Sequence, residues 1–406
     1  MFKTANKIFQ RLDSIDFLRG FVMIIMLLDH VREYVHTDAF KFNPTDLSKT
    51  NALVFFTRWV THICAPTFVF LAGTSIYLQK MRGKTNAELS KFLLTRGLWL
   101  IILEFTVVRF SMVFNLDYSF LGFAEVIWVF GVSMIVLAAL VFLPVRVAGI
   151  LGVAMIALHH LMDLYRVPPA TAFALKPPPD FWEKIWIFLH QPGIVPFADG
   201  ATFIFVAYPV IPWIGMMAAG YWFGCVYDWE SDRRRKFLFK LGAAMLILFV
   251  VSNTITINAT SFFPPQETLL LKFLSFINVT KYPPSVLFLL LTLGVSILIL
   301  AVADKIRNDN LFFKIVITFG RVPLFYFILQ MFYSHALAVL LNRLAGKDTT
   351  FLFANFPDSA KAPPDSGFSL WVVYAGWIGG LILLYPICNW YAKIKKGRSG
   401  FPYSYL

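Results

Sequence analysis

Apolar residues run along the chain in ten blocks, near positions 17–36, 52–79, 92–114, 121–143, 146–165, 201–227, 237–258, 285–303, 315–342 and 369–392. Each is close to the length of about 20 residues that a helix needs to cross the hydrocarbon of a bilayer. The pattern predicts an all-α fold, a polytopic membrane helix bundle of about ten transmembrane helices that forms one integral membrane domain over residues 1–406. No internal repeat relates one half to the other, which weighs against the many transporters built from two similar halves. The N-terminal stretch MFKTANKIFQRLDSIDFLRG is not followed by a small-residue cleavage site, so the first block reads as a retained span and not a signal peptide.

Composition removes the alternatives. With 58% hydrophobic and 15% charged residues, the chain departs from soluble domains, where roughly a quarter of residues are charged. A water-soluble enzyme is excluded. The net charge of +13 does not indicate nucleic acid, because the basic residues sit in short runs between apolar blocks and not on one face. Anionic lipid head groups and cytosolic anions are the expected partners. Assigned to alternating loops, 22 of the Lys and Arg residues fall on one side and 12 on the other. The richer side holds Lys80 to Arg96, Arg233 to Lys236, Lys393 to Arg398 and the N-terminal Lys3, Lys7, Arg11 and Arg19. Cytoplasmic loops carry such an excess, so both termini are expected in the cytoplasm. The other side carries the longer Pro-rich loops, 166–200 and 343–368, and long loops are where binding surfaces tend to sit.

Ionisable residues inside apolar blocks are costly and so are functional candidates. The first block holds Arg19, Asp29, His30, Arg32 and Glu33. Arg19 and His30 are eleven residues apart, three helical turns on nearly one face and roughly 16 Å along the axis. Asp29 lies about 100° round the helix from His30 and reaches Arg32, Glu33 or a neighbouring helix more easily. His62 precedes Pro66 by four residues, where the kinked or hydrated backbone tolerates a polar group. Glu104 lies about 12 Å in from Arg96 and is expected to pair with Arg109 or His30, or to carry a proton; Glu125 reads as an interfacial residue. Arg321 offers guanidinium donors to a phosphate. His159, His160 and Asp163 do not have the i, i+4 spacing of a zinc helix, and Cys64, Cys225 and Cys388 lie in separate blocks, so no metal is expected. Walker, GxGxxG, GxSxG and CxxCH signatures are all absent from the sequence.

The segments RLDSIDFLRGFVMIIMLLDHVR (11–32), THICAPTFVFLAGTS (61–75), TRGLWLIILEFTVVRF (95–110), VIPWIGMMAAGYWFG (210–224) and FGRVPLFYFILQMFYSHALA (319–338), in that order, resemble bacterial membrane proteins grouped with the catalytic domain of heparan-alpha-glucosaminide N-acetyltransferase. The first helix, with Asp16, Arg19, Gly20 and His30, also resembles that of the family 3 membrane acyltransferases. The resemblance implies a multi-pass enzyme of the bacterial cytoplasmic membrane. It would move an acyl group, usually acetyl, from acetyl-CoA or another acyl-CoA at the cytoplasmic side to an extracytoplasmic glycan or small-molecule hydroxyl or amine. Three departures stand out: Gln330 replaces an expected histidine while His335 matches the next one, the loop from Thr37 to Asn51 offers no histidine aligned with the catalytic one of the lysosomal enzyme, and His62 falls where that enzyme has an acidic residue.

Acyl transfer needs a base for the acceptor, donors for the oxyanion and a grip on the coenzyme phosphates. The candidate catalytic residues are His30 as base or acyl carrier, His62 as second base or oxyanion partner, and Asp29 or Glu104 to orient the imidazole. Arg19, Arg96 and Arg321 are the candidate cofactor-binding residues for coenzyme A. The competing expectation is a proton-coupled transporter or flippase of an anionic metabolite or lipid-linked sugar, using the same groups as a proton relay. Either reading allows a homodimer.

Overall fold

The structure, a computed structural model, describes residues 13–39, 41–260, 268–305, 310–358, 361–396 and 398. Its α-helices of five or more residues are α1 (Asp13–Val35), α2 (Ala52–Trp59), α3 (Cys64–Met81), α4 (Asn86–Leu103), α5 (Arg109–Val113), α6 (Val126–Leu140), α7 (Val145–Leu158), α8 (Phe181–Leu189), α9 (Ile211–Phe223), α10 (Ser231–Thr260), α11 (Leu269–Ile277), α12 (Val286–Ala303), α13 (Leu311–Arg321), α14 (Pro323–Leu344) and α15 (Leu370–Lys395). Short strands β1 (Phe120–Ala124), β2 (Gly193–Phe197) and β3 (Thr202–Val206) complete it. The helical membrane bundle expected from the apolar blocks is the fold that forms. Among the described residues six helical segments are both long and apolar enough to cross a membrane: 52–81, 145–164, 231–257, 286–303, 323–344 and 370–395. The terminal segments 1–12 and 399–406, with Lys3, Lys7 and Arg11, lie outside the described residues, as does Arg307.

Three blocks differ from their expected form. Blocks 121–143 and 201–227 open as strands, not as helix. β1 pairs parallel with β3, and β2 pairs antiparallel with β3, in the order β1-β3-β2. TFIFV is aromatic and β-branched and FLGFA carries two phenylalanines, which suits a pleated surface, and an apolar run of five residues does not by itself distinguish strand from helix. Block 315–342 is two helices. Val322, between α13 and α14, takes φ −131° and ψ 50°, because Pro323 removes an N–H and disfavours helical backbone in the residue before it. Elsewhere polar caps set the helix starts: Asn51, Ser285 and Asn310 accept from the amides of Val54, Phe288 and Phe312, each satisfying an otherwise orphaned donor.

α1 is the axis of the molecule. It is too rich in charge to rank among the apolar spans, yet 17 of its 23 residues are buried, packed by α3 and α12 to α15. The closest approach is to α13. A Cβ on Gly20 would collide with the Val316 backbone carbonyl, and one on Gly320 with that of Asp16, so the two glycines permit a backbone contact that any side chain would prevent. α13 continues into α14, and the crossing thereby fixes α14 against the face of α1 that carries His30.

Candidate active site

Two cavities open along α1. The first, about 280 Å³, lies at the basic end of the bundle and is lined by Arg19, Arg96, Arg321 and Lys395 together with apolar side chains such as Met23 and Phe68. The second, about 610 Å³, lies at the end carrying the long loops and is lined by Asp29, His30, Arg58, Glu104, Glu125 and Lys281, among others. Met26, Val126 and Phe327 line both cavities. The Arg19–His30 stripe read from helical spacing therefore runs along two chambers that meet at a shared apolar stretch of wall, the neck.

In the basic chamber the three expected arginines come together, but they are not equivalent. Arg19 donates to the Leu71 carbonyl at 3.2 Å and to the Ser75 hydroxyl, and faces Asp16 at 3.5 Å. Helix α3 thus braces its guanidinium. The Arg321 side chain is 40% exposed and meets Asp13 at 3.5 Å and Asp16 at 4.0 Å, the looser pairing of the two. Arg96 lies 5.8 Å from the Phe92 ring centroid.

In the loop-end chamber His30 is held edge-on against Phe327, with ring centroids 5.9 Å apart. Its buried Nδ1 has no hydrogen-bond partner among the described residues. Neither acid expected to orient it does so. Asp29 accepts from Arg32 at 3.0 Å on its own helix and from Arg58 on α2, forming a buried triad of one carboxylate and two guanidinium groups. Glu104 sits in a π-helical turn, Glu104–Val108, joining α4 to α5. Its carboxylate accepts from the Trp128 amide at 2.5 Å and from the amides of Ile127 and Glu125, capping the start of α6. The helix end offers several orphan donors and a partial positive charge, which outcompete a single side chain. The expected pairing of Glu104 with Arg109 or His30 is therefore absent.

Arg109 is also otherwise engaged. Fully buried, it donates to the carbonyls of Asn115, Asp117 and Phe120 and to the Asn115 and Asn355 side chains, fastening the loop before β1 to segment 353–356. In that loop, hydrogen bonds from Ser119 hold the Asp117 carboxyl below the usual aspartate range. His62 does not reach the chamber: it is buried 5.6 Å from the Phe288 ring on α12, while its neighbours Thr61, Cys64 and Ala65 line the cavity. Gln330 is fully buried, has no hydrogen-bond partner among the described residues and lies on neither cavity wall. Its departure from the family pattern thus falls outside both chambers. His335 packs on Phe114, with centroids 3.9 Å apart, and bonds the Ser111 carbonyl through Nδ1 at 3.0 Å. Asp163 gathers His160, His190 and Arg166 at 2.9 to 3.0 Å; among the described residues no group of three ligands is placed to hold a metal ion.

Several chamber residues carried little sequence signal. Arg58 and Lys281 read only as cations of the sparser side, and Glu125 as an interfacial acid. Tyr208 and Tyr282 did not stand out, yet the Lys281 ammonium lies 5.6 and 5.0 Å from their ring centroids. Arg58 had one usable sign, a cation within the apolar run ALVFFTRWV. Lys281 and the tyrosines are brought in by loops, which no periodicity announces.

The fold and its two chambers define a polytopic helical membrane protein with ionisable side chains gathered in its interior. The chain belongs to the family described as heparan-alpha-glucosaminide N-acetyltransferase, catalytic, whose pattern matches residues 11–257. That match runs from α1 into α10, and membership places the protein among membrane acetyltransferases. No curated protein matches the chain.

Proposed function

We propose that the protein transfers an acyl group, acetyl in the first instance, from coenzyme A in the basic chamber to a hydroxyl or amine acceptor in the loop-end chamber. The observation that carries this reading is the pair of chambers meeting at one neck, with Arg19, Arg96 and Arg321 on one side and His30 on the other. Arg321 and Arg96 suit coenzyme phosphates, since guanidinium groups bind phosphate oxygens through several donors at once. The apolar wall of Met23, Phe68 and Met26 suits the less polar arm of the coenzyme. The excess of basic residues at this end supports a cytoplasmic position for the chamber, the side on which acyl-CoA is available.

His30 acts as the base. The acceptor O–H or N–H gives its proton to the imidazole as the acceptor atom bonds to the thioester carbonyl carbon. The C–S bond then breaks, and the departing sulfur takes a proton, so that the products are the acylated acceptor and free coenzyme A. A neutral imidazole can take the proton from the acceptor and, once protonated, give it to the sulfur. The acceptor is a glycan, a lipid-linked sugar or a small molecule, admitted from the side of the long loops, where Tyr208, Tyr282 and Phe123 offer ring faces.

The test uses the full-length protein in nanodiscs with acetyl-CoA and a panel of sugar and amine acceptors. Acceptor-dependent release of coenzyme A is expected. His30→Gln, which keeps hydrogen bonding but not proton exchange near neutral pH, should abolish it while leaving coenzyme A binding nearly unchanged; His62→Gln, away from the chamber, should retain turnover. Full turnover by His30→Gln would remove His30 from the chemistry. Uptake of an anionic solute without acyl-CoA, and no acyl transfer, would replace the reading by a transporter.

A further inference from the structure

The two chambers differ sharply where they meet. Above the neck the walls carry Asp29, His30, Arg58, Glu104, Glu125 and Lys281 among apolar side chains such as Val108 and Met331, a mixed surface around a space wide enough to hold water. Below it Met23, Ile127, Phe130, Met134 and Leu324 make the wall apolar until the arginines are reached. The side chains common to both walls come from three separate elements: Met26 from α1, Val126 from the start of α6 and Phe327 from α14. Each is fixed by a feature already described. Met26 lies on the buried face of α1. Val126 follows Glu125, at the helix start that Glu104 caps. Phe327 sits one turn after the Pro323 break, on the helix that the Gly20–Gly320 crossing sets against α1. Of the three, Phe327 alone has an aromatic ring, and that ring packs against the His30 imidazole.

We propose that Phe327, with Met26 and Val126, forms an apolar septum that keeps water of the loop-end chamber away from the thioester, so that Phe327 decides between acceptor and water as the acyl-receiving group. A narrow apolar constriction between wet spaces sheds water, as in the hydrophobic gates of channels. An acyl-CoA whose phosphates are held by the arginines presents its thioester at the neck. A polar acceptor seated against His30 displaces the ordered water there and reaches the carbonyl. Bulk water is held back by the ring. If the ring is removed, water adds to the carbonyl carbon, the C–S bond breaks, the sulfur takes the proton, and the products are the free carboxylic acid and coenzyme A. Phe327 is a positioning residue for this reaction, acting on His30 and on access and taking no part in bond making.

The septum rests on the two-chamber acyltransferase reading for its chemistry but not for its existence, and two measurements separate them. The first is accessibility. In full-length protein with Cys64, Cys225 and Cys388 replaced by alanine, a reporter Ala72→Cys lies in the wall of the basic chamber. A membrane-impermeant charged thiol reagent is applied in proteoliposomes from the loop-end side alone. With Phe327 present the reporter should stay protected; Phe327→Ala should expose it, and Phe327→Leu should leave it largely protected. The second is partitioning. Phe327→Ala should raise acceptor-independent acyl-CoA hydrolysis relative to acceptor-dependent transfer by about tenfold, which corresponds to a change of about 1.4 kcal/mol in the relative barriers. A variant that merely loosened the fold would lower both rates and leave the ratio unchanged. Met26→Ala opens the same neck from α1 and replaces Phe327→Ala should that variant fail to fold. Labelling of the reporter in the parent protein, or an unchanged label and an unchanged ratio in the opened variants, would overturn the septum. Absence of acyl transfer and coenzyme A binding in the parent would overturn the acyltransferase reading, while the labelling would still decide whether the neck excludes water.

Discussion

Removing the Asp29 carboxylate should leave two guanidinium groups inside the bundle without a counter-charge. The Arg32 and Arg58 side chains are 5% and 15% exposed, so neither can turn to bulk water without moving α1 or α2. Arg58 retains hydrogen bonds to the Thr61 hydroxyl at 3.2 Å and the Tyr282 hydroxyl at 3.3 Å. Arg32 has Asp29 as its one hydrogen-bonded side-chain partner among the described residues. Breaking a buried ion pair by deleting one member costs about 3–5 kcal/mol, most of it the penalty of the charge left behind. Asp29→Ala should therefore destabilise the protein by about 3–5 kcal/mol. Asp29→Asn, which keeps an acceptor oxygen, should cost nearer the value of hydrogen bonds to a charged group, about 1.5–3 kcal/mol. Because Arg32 is the stranded group, adding Arg32→Met to Asp29→Ala should recover part of the loss, with a coupling energy of about 1–3 kcal/mol. The measurement is unfolding by titrated dodecyl sulfate in mixed micelles, followed by tryptophan fluorescence for the parent, the single variants and the double variant. Equal unfolding midpoints for Asp29→Ala and the parent, or additive effects of the two substitutions, would show that the adjoining chamber solvates both guanidinium groups and that the ion pairs are not what holds the triad together.

Four further outcomes follow from other parts of the structure. Arg109→Lys keeps the charge but not the five-donor fork, so protease cleavage within 114–124 should increase and stability should fall by about 2–4 kcal/mol; an unchanged digest would refute the clasp. Asp117 has a lowered folded-state pKa, so its share of that clasp is fully present above the unfolded value of about 3.9 and is lost as pH falls through the lowered one; cleavage of the loop should be flat from neutrality down to that region and rise below it, a rise that Asp117→Asn should remove. Gly20→Ala puts a methyl group into the Val316 carbonyl, a backbone clash that no rotamer relieves, and should cost at least about 1–3 kcal/mol along with coenzyme A binding, since α13 carries Arg321; wild-type stability would mean that the helices separate freely. Arg321→Ala should weaken coenzyme A binding more than Arg321→Lys, and more than Arg19→Ala weakens it, because Arg19 is already held by Ser75 and Leu71; equal affinities in all three, measured by calorimetry, would move the phosphates elsewhere.

Much of this protein is written in one dimension. Ten apolar blocks and 15% charge define a membrane helix bundle, because hydrocarbon admits only long apolar segments whose backbone groups are satisfied internally. Arg19 and His30 on one face of α1 were legible for the same reason: helical periodicity maps sequence distance directly onto space. The Asp29–Arg32 pair followed from the i, i+3 rule. Tertiary structure decided the partners that come from elsewhere. Glu104 went to the amides of α6 and not to His30 or Arg109, since a helix start supplies several donors at once. Arg58 joined Asp29 from a helix 29 residues away, His62 turned to α12, and Lys281 with Tyr208 and Tyr282 arrived on loops. The strands β1 and β3 replaced the starts of two expected spans because each found the other's edge, a pairing between segments about 80 residues apart that no local pattern encodes. The neck at Met26, Val126 and Phe327 belongs to this second kind: three ordinary apolar residues on α1, α6 and α14 are brought to the wall that the two chambers share.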